Sequence, residues 1–204
     1  MRGREMEPYE VLQKISDEVF ADLECRGLHH SCIEGSALLT SVLRMMGFVD
    51  AYPLTVGVAI FNKANQDWVK AHGAPADEAS CRACDAAGSM TIVIGKGTEH
   101  LVSEDRWAGH LAVVVPAVFG DRHALLDLTI VQAQRPEWDI VLKPLCLRVR
   151  DQFVSGKDPG KFLVNGCLLR YTAYPDDHSY NDTGDLMALG GLDDAATKIL
   201  SRLR

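Results

Sequence analysis

Two kinds of apolar spacing divide this chain, and their order limits what it can fold into. Between residues 51 and 174 it carries short, β-rich apolar runs: "AYPLTVGVAIF", "SMTIVIG", "HLAVVVP", "HALLDLTI", "LCLRVR" and "GCLLRYTAY". Sustained helical spacing lies mainly before and after them, at residues 7–24, 33–46 and 192–203. Parallel strands need a crossover of a dozen or more residues, usually a helix, whereas antiparallel neighbours can be joined by a hairpin. The runs "HLAVVVP" and "HALLDLTI" are separated only by "AVFGDR", whose Gly120-Asp121 suits a hairpin loop. The expected class is α+β: N-terminal helices packed on an antiparallel sheet, closed by a last helix. Its 204 residues, without repeat or linker, fit a single domain over 1–204.

The first helix, 7–24, has Pro8 in its opening turn and apolar residues at Val11, Leu12, Ile15, Val19, Phe20 and Leu23. "CRGLHHS" breaks it. The second begins after Ser31, an N-cap residue type, with Glu34 three positions on as in a capping box. Gly47 is placed to end it. "NKANQDWVKAHG" reads as a short helix and "APADEASCRACDAAG" as a small-residue loop. "DQFVSGKDPGKF" reads as a polar turn region, and "YPDDHSYNDTGD" as an exposed loop.

Cys32 stands at the first position of the second helix. Unpaired backbone N–H groups and the positive dipole end surround a side chain there. They favour thiolate over thiol, and they can stabilise an oxyanion on a bound carbonyl. A thiol nucleophile needs a base, and the base needs an orienting partner. His110 opens the run "HLAVVVP". Asp127 lies 17 positions later inside "HALLDLTI", where an acid needs a donor. Hairpin pairing of these strands lets the two side chains meet. His123 is a rival base, placed in a turn after Asp121-Arg122. His30 and Trp107, each close in sequence to a member of the trio, are candidate substrate-binding residues.

A cysteine opening a buried helix, followed by His on one strand and Asp on the next, resembles the transglutaminase-like core of the papain-like superfamily. The matching stretches are "SCIEGSALLTSVLRMMGF", "GHLAVVV" and "LLDLTIV". Arylamine N-acetyltransferases share that core, and their Cys-x-Glu signature is similar to Cys32-Ile33-Glu34. The resemblance spans about residues 25–135, with an insertion at about 63–105. It implies a papain-like fold with Cys32 as nucleophile, His110 as base and Asp127 as orienting acid. It also implies acyl transfer from an amide, thioester or ester, with no cofactor. The related alternative is an acetyl-CoA-dependent N-acetyltransferase-like enzyme.

Other readings remain open. The core could serve as a non-catalytic protein-binding module with a structural cysteine. Cys81 and Cys84 could contribute half of a zinc site, with His72 and His100 nearby; the site expected here includes no metal. The net charge of -7 argues against a nucleic-acid partner. No apolar run is long enough to span a membrane. Six unevenly spaced cysteines in a chain this long suggest reduced thiols and a cytoplasmic setting. The expected partner is a small-molecule or peptide/protein acyl substrate.

Overall fold

The computed structural model of the protein describes residues 7–28, 31–96, 107–182 and 191–203. Two helices open the chain, α1 (Pro8–Cys25) and α2 (Cys32–Met45). Strand β1 (Tyr52–Phe61) is followed by α3 (Lys63–His72), α4 (Glu78–Ala86) and β2 (Thr91–Gly95). Then come β3 (His110–Val115), β4 (His123–Asp127), β5 (Leu145–Val149) and the short α5 (Asp151–Val154). Strands β6 (Gly160–Val164) and β7 (Cys167–Tyr174) precede the closing helix α6 (Leu192–Leu203).

All strand pairs are antiparallel, in the order β5-β4-β3-β1-β7-β6. The long β1 serves two partners along one edge: residues 52–56 pair with β3, and residues 57–61 pair with β2. Successive side chains alternate between the faces of the sheet. Val113, Val115 and Leu126 point to the face covered by α1, α2 and α6, where Leu12, Val19, Leu39, Leu43 and Ile199 pack. Ala112, Val114 and Leu125 point the other way, into a core shared with Val56, Leu169 and Tyr171. Leu145 and Val149 of β5 and Phe162 and Val164 of β6 reach that same core. Strands from both ends of the order therefore face each other, and the sheet is nearly closed.

The α+β class and the antiparallel sheet with N-terminal helices match the sequence expectation. Four local expectations are corrected. The stretch 74–88, read as a loop, contains α4. Its helix buries only Cys84, so no apolar stripe announces it, but Asp77 caps it by accepting from the Ser80 N–H at 2.8 Å. The polar stretch 151–162 contains α5 and the start of β6, an edge strand whose Leu163 is exposed. The run 123–130 is strand only as far as Asp127; a 3-10 turn (Thr129–Ala133) follows. Ser31 does precede α2, but its side chain makes no capping bond, so the expected capping box with Glu34 is not formed. The segment 63–105 carries α3, α4 and β2, and β2 joins the main sheet; residues 97–105 lie outside the described residues.

Where β2 hands over to β3 along β1, the backbone runs too close for a side chain. Gly95 has φ +80°, and a Cβ there would sit 2.4 Å from the Val56 carbonyl oxygen and 2.6 Å from the His110 Cβ. Gly120 has φ +75° but open space around it. Replacing Gly120 by Ala should remove about 1 kcal/mol, the conformational part alone. Gly95→Ala adds a backbone clash and should remove about 2–4 kcal/mol. Urea unfolding of the two variants checks this; equal losses would mean that the crowding beside His110 is relieved without strain.

Candidate active site

The register sets the site. His110 is the first residue of β3, opposite Val56, and shares the parity of Ala112 and Val114. Asp127 is the last residue of β4 and shares the parity of Leu125. Both side chains therefore turn to the inner face of the curled sheet, at the same end of the β3–β4 hairpin. His110 and Asp127 are fully buried. The ring's Nε2 lies 3.0 Å from Asp127 Oδ1 and 2.9 Å from Oδ2.

Helix α2 approaches this pair from the other face. Ser36 donates from its hydroxyl to the Leu111 carbonyl at 3.2 Å, which ties the helix to β3 beside His110. Cys32 lies one turn earlier, so it shares Ser36's side of the helix. Cys32 is near enough to the His110 ring to favour its charged form. Cys32 itself is half-buried, so an incoming molecule can reach it.

Burial alone would drive the charge off His110, and it is the largest single influence on the ring. The Asp127 charge and hydrogen bond, with the Cys32 thiol added, outweigh it and raise the imidazole to about 10. The folded site thus favours an imidazolium.

The structure joins His110 to Asp127, and sequence reasoning missed what else holds that pair. The Tyr171 hydroxyl donates to Asp127 Oδ2 at 2.9 Å, and the Ile130 N–H donates to Oδ1 at 3.0 Å. The Gln132 amide reaches His110 Nδ1 at 3.0 Å. Tyr171 could have been suspected, since it occupies an inward position of an alternating strand and its hydroxyl needs a buried partner. Ile130 and Gln132 depend on the 3-10 turn after β4, which strand periodicity hides.

Trp107 packs against the cluster of Ile33, Leu111 and Tyr180, which Cys32 also packs against, and its ring lies edge-on to Tyr180 at 6.1 Å between centroids. Its indole folds back over Gly109, where an added Cβ would fall 1.9 Å from a ring carbon. Its N–H donates to Ser179 Oγ at 2.9 Å, and Ser179 Oγ donates in turn to Asp177 at 2.6 Å. His30 lies outside the described residues. His123 is at the opposite end of β4, where its Nδ1 accepts from the Ala117 N–H and its Nε2 contacts Asp151. Cys81 is exposed and Cys84 buried on α4, and His72 stacks on Trp68. No metal-binding cluster of three His, Cys, Asp or Glu occurs among the described residues. No helix among them is long and apolar enough to cross a membrane.

The chain matches no protein-family model, and no curated protein or solved structure matches it.

A group that holds its proton more tightly when folded stabilises the fold fully below its unfolded pKa. That contribution fades as pH rises toward the folded value. The stability gap between the wild-type chain and His110→Gln should be widest below about pH 6.5 and narrow as pH climbs toward 10. Urea unfolding at stepped pH reads it. A gap that does not change with pH would show that the ring is not held charged by Asp127.

Proposed function

We propose that this chain is a cysteine-nucleophile acyl-transfer enzyme, hydrolysing or transferring an amide or thioester acyl group, with a papain-like, transglutaminase-type core. The observation that carries the reading is one junction: a half-buried thiol at the first position of α2, near a buried imidazole whose charged form it favours and which Asp127 holds. A purely structural cysteine has no use for a base with its own orienting acid.

The residues fit the steps of acyl transfer. His110 takes the Cys32 proton at Nδ1 while Nε2–H stays on Asp127. The sulfur attacks the substrate carbonyl carbon, and the carbonyl electron pair moves onto oxygen. The Ser31 side chain does not consume the N–H groups of the first turn of α2, so the Cys32 N–H can face that oxygen. The tetrahedral species collapses, the leaving group takes the Nδ1 proton, and a thioester remains on Cys32. Water or an amine then attacks, giving its proton to His110, and the Cys32 thiolate leaves. Trp107 and Tyr180 belong to the same apolar cluster as Cys32. The six cysteines are free thiols, as a thiol nucleophile requires, and this suits a reducing, cytoplasmic setting.

A nitrophenyl ester is a generic acyl donor for such a thiol. Mixing it with the chain should release nitrophenol in a burst and leave one acyl group on Cys32 by peptide mass spectrometry. Cys32→Ala should abolish the adduct, and His110→Gln should slow the burst by at least about a thousandfold. The same assay with acetyl-CoA separates an acetyltransferase from a hydrolase. A folded chain that gives no adduct, or one equally acylated on Cys25 or Cys81, would refute the reading.

A further inference from the structure

The site has a fourth polar member that the acyl-transfer steps do not use. Gln132 sits in the 3-10 turn Thr129–Ala133, half-buried, with its amide Nε2 3.0 Å from His110 Nδ1. Nδ1 is the nitrogen that must collect the thiol proton. The opposite nitrogen faces a carboxylate, which can only accept, so Nε2 carries a hydrogen in every state of the ring. In the neutral ring Nδ1 is bare and accepts from the Gln132 N–H. Once the thiol proton arrives, Nδ1 is itself a donor, and two N–H groups would face each other. A half-turn of the carboxamide exchanges Nε2 for Oε1 in nearly the same place and removes the conflict. A carboxamide can therefore partner both states, whereas a carboxylate suits only the charged ring and a hydrocarbon suits neither.

We propose that Gln132 is a positioning residue that follows the protonation of His110, donating to the neutral imidazole and turning to accept from the imidazolium. This rests on the Cys32–His110 reading and deepens it. While the sulfur is tied up as a thioester it cannot partner the ring, and Gln132 holds Nδ1 in place through that stage. The location supports the role. Asp127 Oδ1 accepts from the Ile130 N–H in the same turn, so one carboxylate places both the ring and the residue on the ring's other edge. The titratable groups that the described residues bring to this cluster are Cys32 from α2, Asp127 from β4 and Tyr171 from β7. A Cβ placed on Gly95 of β2 would fall 2.6 Å from the His110 Cβ and 3.1 Å from its backbone nitrogen.

The test is the titration of the His110 ring nitrogens by 15N NMR in the full-length Cys32→Ala chain, which removes the thiol from the equilibrium. Adding Gln132→Leu should lower the His110 midpoint by about one pH unit, because the imidazolium loses an acceptor. Adding Gln132→Glu should raise it by at least as much. A spacer role would move neither midpoint, and equal midpoints in all three chains would overturn the proposal. Should Leu disturb the turn, Gln132→Ala reads the same loss. Failure here is separable from failure of the enzyme reading: acylation of Cys32 with an unresponsive His110 sinks only the role of Gln132. A responsive His110 beside an unreactive Cys32 sinks only the acyl chemistry.

Discussion

The buried carboxylate of Asp127 is the constraint on which the site depends. An acid with no exposure is tolerable only when donors surround it, and three converge here: the His110 ring, the Tyr171 hydroxyl and the Ile130 N–H. Each comes from a different place, on β3, on β7 and in the turn after β4. The carboxylate therefore does more than orient an imidazole. It ties together three neighbourhoods of the curled sheet, and each tie fixes part of the site. Asp127 both accepts from the Ile130 N–H of the 3-10 turn and partners His110.

The helix supplies what the sheet lacks. A histidine–aspartate pair inside a sheet is well held but has nothing to act on. Helix α2 brings Cys32 near the ring, and the Ser36–Leu111 bond ties the helix to β3 beside His110. His110 and Asp127 are fully buried, while Cys32 is half-buried. On the outer side, the Trp107–Ser179–Asp177 chain and the Lys96–Asp177 ion pair at 2.9 Å anchor the aromatic wall. Burial works against the Asp177 charge, but hydrogen bonds from Ser179 and the charge of Lys96 hold its carboxyl down at about 2.

The trio was legible because each member breaks a local pattern: a thiol opens an apolar helix, a histidine opens an apolar strand, and an acid interrupts one. Patterns of this kind survive without knowledge of the fold. What escaped notice depends on geometry that periodicity does not encode. Gln132 looks like an ordinary polar residue until the chain bends at Asp127 into a 3-10 turn. Helix α4 was hidden because only Cys84 faces inward, leaving its Asp77 cap as the sole signal. Strand β6 was hidden because an edge strand half open to solvent needs little apolar character. Tyr171 was read only as a strand residue, since nothing in one sequence says that its hydroxyl meets Asp127.

The central claim is that Asp127 holds a charged His110 ring beside Cys32 and that this pairing makes the thiol reactive. The most direct measurement is the rate of iodoacetamide labelling of Cys32 against pH, in the wild-type chain and in Asp127→Asn. The account predicts that at about pH 6 the variant is labelled at least about tenfold more slowly than the wild type. Superimposable profiles, with both chains folded, would contradict it.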